Sequence, residues 1–306
     1  LLRVVGFNSV CIVPLMARGR ILGDLALATD NESGRRFGPD TLDVVRGLAD
    51  RCALALDNAA LYAQREKVAV TLQEELLPPR LPAIPGLDVA ARYSAAGEGN
   101  QVGGDFYDVF ASDTGWQVVI GDVVGKGPAA AAVTGLARHT MRAAAAYEGA
   151  PSQLLRVLNT ALLAERAGRR LASVACVRLD PEADGARLTV SVAGHPLPLV
   201  VGIDGAVREV GRFGQLLGVE EDLVVFNAGD RLGPGELLIL YADGVTEARG
   251  PGGMFGEDHL RSLLMTLGGE APTRVLQRVE SAVLAASGGR PRDDLAMIAL
   301  RVRTLP

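Results

Sequence analysis

Four stretches of the chain place an aspartate at the end of an apolar run or beside a tight turn. They are Gly103-Gly104-Asp105-Phe106-Tyr107-Asp108, Ile120-Gly121-Asp122-Val123-Val124-Gly125-Lys126-Gly127-Pro128, Leu240-Tyr241-Ala242-Asp243-Gly244-Val245-Thr246-Glu247 and Arg290-Pro291-Arg292-Asp293-Asp294-Leu295. One such aspartate is ordinarily a turn or cap residue. Several from distant parts of one domain point to a hard-cation site, because carboxylate and carbonyl oxygens suit Mg²⁺ or Mn²⁺. Asp122 is the centre of the set. The apolar run from Trp116 ends at its carboxylate, glycines then let backbone approach a ligand, and Pro128 suits a first helical position. The stretch reads as buried strand, turn and helix.

Other chemistries fail on the residues. A Walker-type phosphate loop ending at Gly125-Lys126 needs Gly where Ile120 stands and Ser or Thr where Gly127 stands. Gly125, Gly127 and Ala130 meet only the loose form of a dinucleotide fingerprint, without the parallel sheet that form requires. A cysteine phosphatase needs Arg after Cys and five residues, but Cys11, Cys52 and Cys176 are followed at that place by Ala17, Asn58 and Glu182. The scattered His139, His195 and His259 do not make a zinc set. His195, in Ala193-Gly194-His195-Pro196, reads as a turn-fixing residue that could lie near the acids. His139 reads as packed or half-exposed on an alanine-rich helix, and His259 as solvated.

The elements that must position the acids follow from periodicity. Residues 87–93, 106–110, 116–123, 171–179, 187–192, 199–203, 206–210, 223–227, 237–241 and 295–302 read as strands, and 128–147, 152–166, 258–267 and 273–286 as helices. Leu188, Val190 and Val192 alternate with Arg187, Thr189 and Ser191, and Asp204-Gly205 is a hairpin turn. Short turns imply antiparallel sheets. Leu154, Leu155, Leu158 and Leu162 give one helix a single apolar face. Ahead of this part, 9–17 and 21–29 read as a hairpin about Arg18-Gly19-Arg20. A long helix follows from Asp40, with Leu48, Cys52, Leu56, Ala59, Leu61, Val68, Leu72 and Leu76 at helical spacing. Pro78-Pro79-Arg80-Leu81-Pro82 ends it.

Composition agrees with two packed domains: 306 residues, 48% hydrophobic and 22% charged. A net charge of −5 without a basic stripe argues against nucleic acid as a partner. No apolar run has membrane-spanning length and no signal-peptide pattern opens the chain, so no membrane partner is expected. Three scattered cysteines fit a reducing cytoplasm rather than a disulfide framework. The chain opens Leu1-Leu2 rather than Met, as a fragment of a longer protein would.

In order, the runs GGDFYD, GDVVGKG, AGHPLPL, YADGVTEA and RDDLAMIAL resemble the PPM-type, metal-dependent serine/threonine protein phosphatases of the SpoIIE-like branch, over about 72–302. The opening hairpin and helix resemble the C-terminal part of a GAF sensory domain. The resemblance implies an α+β fold, an αββα sandwich of two antiparallel sheets flanked by helices. It divides the chain into a partial GAF-like unit (1–60), a linker helix (61–82) and a phosphatase domain (83–306). It implies two Mn²⁺ or Mg²⁺ ions. Asp122 would bridge both with help from the Val123 carbonyl, Asp105 would hold one, and Asp243 and Asp293 the other, with Asp294 the rival of Asp293. Asp122 and Asp105 are then the catalytic pair, and a metal-bridged hydroxide attacks phosphoserine or phosphothreonine in line. The implied substrate is a phosphorylated STAS-type anti-sigma-factor antagonist.

Half a GAF domain has no complete pocket, so no ligand is expected there. The helix could be a coiled-coil seam for a homodimer. Thr246 and Glu247 read as shaping the Asp243 loop. Val124, Ala242 and Val192 depart from the family pattern without removing a carboxylate. A catalytically idle phosphoprotein-binding module of the same fold is the alternative, and the intact carboxylates favour the enzyme.

Overall fold

The computed structural model describes residues 7–30, 32–94, 103–112, 115–165, 170–250, 252–289 and 293–304, with the backbone alone described over 65–76. The chain divides into two compact units, Leu1–Val68 and Ala69–Pro306. In the first, β1 (Phe7–Ala17) and β2 (Arg20–Asp30) pair antiparallel. Arg18 and Gly19 between them have φ of 47° and 75°. Two positive φ values make the two-residue turn whose twist matches that of the strands. Helix α1 (Pro39–Leu76) follows, and its Val45 and Ala49 pack with Cys11 and Val13. Asp57, buried on α1, takes ion pairs from Arg18 and Arg20. The expected stripe at Val68, Leu72 and Leu76 falls on side chains outside the described residues.

The second unit runs β3 (Leu87–Ser94), β4 (Asp105–Ser112), β5 (Gly115–Val123), α2 (Pro128–Ala144), α3 (Pro151–Ala164), β6 (Ala172–Glu182), β7 (Gly185–Ala193), β8 (Leu199–Val201), β9 (Val207–Glu209), β10 (Ala228–Leu232), β11 (Leu237–Tyr241), α4 (Asp243–Thr246), β12 (Arg249–Gly250), β13 (Gly253–Met254), α5 (Gly256–Met265), α6 (Pro272–Ala286) and β14 (Leu295–Val302). Two five-stranded antiparallel sheets form, in the orders β10-β7-β6-β5-β4 and β3-β14-β11-β8-β9. Their inner faces meet: Val118, Ile120, Val177 and Leu188 share a core with Val200, Leu238, Leu240 and Ile298. On the outer face of the first sheet, Val119, Val174 and Cys176 pack with Val133 and Met141 of α2 and Leu155 and Leu158 of α3. On the outer face of the second, Ile239, Met297 and Ala299 pack with Leu260 of α5 and Val275 and Val279 of α6. The result is the αββα sandwich.

Covering both faces of each sheet explains the sequence pattern. Antiparallel strands usually alternate because one face is wet. Here β11 and residues 295–300 of β14 are apolar without a break, and each residue of 295–300 belongs in turn to the outer or inner core. The alternation in 187–192 holds, yet Ser191 is buried because α3 covers β7. One expected strand, 223–227, is not a strand. Leu223 and Val225 sink into the outer core from a loop, and the strand is β10, which pairs along β7. The three cysteines are free. Among the described residues no helix is long and apolar enough to cross a membrane.

Candidate metal centre

Strand register brings the first two acids together. In the β4–β5 pair, Asp105 stands directly opposite Asp122. Like charges directly opposite in a ladder destabilise a sheet, so this pair is a liability unless a cation sits with it. The third acid comes from the other sheet. β11 ends at Tyr241, and the chain turns into the single-turn α4 with Asp243 at its start. The Glu247 N–H donates to the Asp243 carbonyl at 2.7 Å and the Thr246 hydroxyl at 3.2 Å. Both residues thus shape the Asp243 loop. One carboxylate oxygen each from Asp105, Asp122 and Asp243 lies within 4.8 Å of the others. Asp105 is 3% exposed, and its buried Oδ2 has no hydrogen-bond partner among the described residues. A buried, unpartnered carboxylate oxygen is costly. An all-oxygen cluster with that defect fits Mg²⁺ or Mn²⁺.

The glycines of Gly103-Gly104-Asp105 are required by close approach. A Cβ at Gly104 would stand 2.2 Å from the Val123 carbonyl oxygen and 2.5 Å from Asp122 Oδ1, and one at Gly103 would stand 1.5 Å from Asp294 Oδ2. The Val123 carbonyl is therefore at the cluster. The Gly104 carbonyl accepts from the Val123 N–H at 3.2 Å and from the buried Thr134 hydroxyl of α2 at 3.3 Å.

Asp293 and Asp294 part company. The Asp293 side chain is 57% exposed and forms an ion pair at 3.0 Å with Lys126 Nζ. Asp294 is 4% exposed, beside the Tyr93 hydroxyl. The structure thus gathers Asp105, Asp122 and Asp243 and sets Asp293 at their rim. Its charge still reaches both Asp122 and Asp243.

Burial and then crowding raise the carboxyl pKa values of Asp105, Asp122 and Asp243. Burial and then the charges of Asp122, Asp294 and Asp243 push Asp105 well above the usual carboxylate range. Burial first, then Asp243, Asp293 and Asp294, push Asp122 up to about 7, with Lys126 pulling the other way. Asp243 is raised by burial, Asp293 and Glu247. Tyr93 is raised by burial and by Asp294 and Asp105. For Lys126, burial opposes the ammonium, but the hydrogen bond and charge of Asp293 outweigh it and raise the pKa.

Several residues near the site were hidden in the sequence. Tyr93 reaches it because β3 pairs with β14, with Tyr93 opposite Ala296, a long-range pairing without a local signal. Lys126 stands in a motif already singled out, but its partner lies far along the chain. Asp108, the second acid of GGDFYD, does a different job. It is 1% exposed and accepts two hydrogen bonds from Arg142, at 2.6 and 2.7 Å, and one from Arg138 at 3.2 Å, which clamps α2 to β4. His195 is buried, with Nδ1 2.8 Å from Ser173 Oγ. His259 is exposed, as expected; His139 is exposed rather than packed or half-exposed.

The Stage II sporulation protein E (SpoIIE) family model matches residues 112–303, and the GAF domain model matches residues 1–56. The chain belongs to the SpoIIE family, within the PP2C-type serine/threonine phosphatases. It is 25% identical over 236 residues to the phosphoserine phosphatase RsbU of Bacillus subtilis, an alignment covering 77% of this chain and 69% of that protein. The crystal structure of the RsbU and RsbW domains of Rv1364c from Mycobacterium tuberculosis matches with a TM-score of 0.62 at 25% identity, over 76% of this chain and 64% of that one. The SiaA-PP2C domain of Pseudomonas aeruginosa matches with a TM-score of 0.66 at 20% identity, over 81% of this chain and 99% of that one. The chain thus spans about two thirds of the RsbU-type chains it resembles.

Proposed function

We propose that this protein is a metal-dependent phosphoprotein phosphatase that hydrolyses phosphoserine or phosphothreonine on a phosphorylated STAS-type anti-sigma-factor antagonist. The carrying observation is the cluster of Asp105, Asp122 and Asp243, with the first two opposed in register and one oxygen buried without a partner. The name of the Bacillus relative, a phosphoserine phosphatase, supports the reaction class.

In this reading, Asp105, Asp122 and Asp243 hold Mn²⁺ or Mg²⁺, the Val123 carbonyl adds an oxygen, and Asp293 at the rim serves a second ion in preference to Asp294. Bound there, the cations supply water acidic enough to attack near neutral pH and stabilise charge on the phosphoryl oxygens. The protein's own groups do the rest. The β4–β5 register fixes the spacing of Asp105 and Asp122 before any ligand arrives. Lys126, beside Asp293, puts a positive charge at the rim, where it would attract an incoming phosphate dianion. Tyr93, its pKa raised, stays a protonated donor next to Asp294. A homodimer through α1 belongs to the same reading, and solution mass tests it.

The deciding experiment is release of phosphate from a phosphoserine protein and from a small aryl phosphate by the metal-stripped chain during Mn²⁺ titration. Turnover should rise from background to saturation and vanish with chelator. Undiminished turnover in excess chelator after exhaustive stripping would overturn the proposal.

A further inference from the structure

His195 lies where the two sheets bring their acids together, bonded to one sheet and facing the other. β7 ends at Ala193, and Gly194 then takes a φ of 64°, with its N–H donating to the Gly214 carbonyl at 3.1 Å. That left-handed step turns the chain so that the next side chain is buried. His195 is 2% exposed. Its Nδ1 lies 2.8 Å from the Ser173 hydroxyl. Ser173 stands opposite Asp122 in the β5–β6 ladder, so Asp105, Asp122 and Ser173 form one row across three strands. On its other side the ring interacts with the backbone carbonyl of Tyr241. That interaction has looser geometry, since Nε2 lacks a partner at normal hydrogen-bond distance and angle. Tyr241 is the last residue of β11, two residues before Asp243.

We propose that His195 is a positioning residue that ties the Asp105–Asp122–Ser173 row of one sheet to the strand delivering Asp243 from the other, and so sets the affinity of the cluster for a divalent cation. The inference rests on the metal reading above. These roles need a neutral ring, which accepts from the Ser173 O–H at Nδ1 and turns Nε2–H toward the Tyr241 carbonyl without a hydrogen bond of normal geometry. Burial lowers the ring's pKa to about 3, with the Tyr241 carbonyl opposing, so the ring keeps those roles across the neutral range. The same low basicity makes it a poor general base toward Ser173. A turn-fixing role alone would be served by Gly194 and Pro196 around any small buried residue. It would leave Mn²⁺ binding untouched.

The test is calorimetric titration of Mn²⁺ alone into metal-stripped parent, His195→Ala, His195→Gln, Ser173→Ala and Asp122→Asn proteins, with kcat and the half-saturating Mn²⁺ concentration measured beside it. Groups that orient metal-binding carboxylates typically matter by roughly 10–100-fold in metal affinity. His195→Ala should weaken Mn²⁺ binding by that factor, with kcat at saturating Mn²⁺ close to parental. His195→Gln, which keeps an acceptor and a donor, should recover part of the loss. Ser173→Ala should weaken binding in the same direction by less, and it decides the matter if His195→Ala does not fold. Parental Mn²⁺ affinity in His195→Ala, or in Ser173→Ala in that event, overturns the inference while the Asp122→Asn loss upholds the metal reading. A parent that binds no Mn²⁺ overturns both.

Discussion

The acidic cluster draws its members from two sheets that hold them in different ways. On the first sheet, Asp105 and Asp122 are ladder residues. Hydrogen-bonded strands on both sides of β5 fix their spacing, Asp105 is buried, and glycines bring the neighbouring backbone close. On the second sheet, Asp243 and Asp293 lie outside the strands. One follows β11 on a single helical turn; the other precedes β14, more than half exposed and paired to Lys126. Register can impose electrostatic strain, because a ladder leaves no freedom to relax it. A loop or rim residue can swing away from repulsion and be recruited when a ligand arrives. The first half therefore carries the electrostatic cost of the site, and the second half its adjustability.

The most severe way to break this comparison is Asp122→Asn, which removes one charge at nearly constant shape. The expected loss is at least about a thousandfold in kcat, about 4 kcal/mol of transition-state stabilisation. The metal-free variant should melt at or above the parental temperature, because a repelling charge has gone. Parental activity in phosphate-release assays would make Asp122 a mere turn residue.

Next in size is the pH dependence of the metal-free protein. The folded pKa of Asp122 is pushed up to about 7 from an ordinary 3.8, so between those values the folded state binds more protons than the unfolded one. Stability then falls as pH rises. The penalty is absent below the ordinary value and complete above about 7, on the order of 4 kcal/mol for this group. Urea midpoints at about pH 5 and about pH 8 should show the fall. Mn²⁺ at about a thousandfold excess over Kd should erase it, since a cation that binds only the folded state then adds about 4.1 kcal/mol. A metal-free protein equally stable at both pH values would mean that the first half stores no strain.

Gly104→Ala probes the close approach of backbone to the same half. Its Cβ would meet the Val123 carbonyl and the Asp122 carboxylate. Relief by a backbone shift should cost about 1–3 kcal/mol, read as a lower urea midpoint, and should weaken Mn²⁺ binding as well.

The smallest effect is expected at the rim. Asp293→Asn should raise the half-saturating Mn²⁺ concentration about tenfold, with kcat recovered at high Mn²⁺, and Asp294→Asn should raise it less. The reverse order would assign the ligand to the buried neighbour and make the second half as preorganised as the first.

Much of the fold was legible because four covered layers leave long apolar strands and one-sided helices, with glycine turns between them. The pattern misled at 223–227, where Leu223 and Val225 alternate like a strand but seal the outer core from a loop. Conversely, Ala228–Leu232 carries turn-like Gly229-Asp230 and still pairs with β7 as an edge strand. Edge strands need only one partner and little burial, so their residues carry a weak signal. In the site, each of Asp105, Asp122 and Asp243 was legible as an acid at a strand edge or a glycine turn. The clamp on Asp108 and the place of Tyr93 were not, because their partners lie on distant elements.

The sequence by itself determined the carboxylates, the glycines beside them and the strand and helix periods that hold them, all properties of a few neighbouring residues. Only the tertiary structure decided that Asp105 faces Asp122, that Asp294 is buried while Asp293 meets Lys126, and that His195 reaches Ser173 beside Asp122. Those facts depend on strand register and on how two sheets stack. A one-residue slip in register sends every side chain of a strand to the opposite face, and the pairing that forbids the slip is made with residues far along the chain.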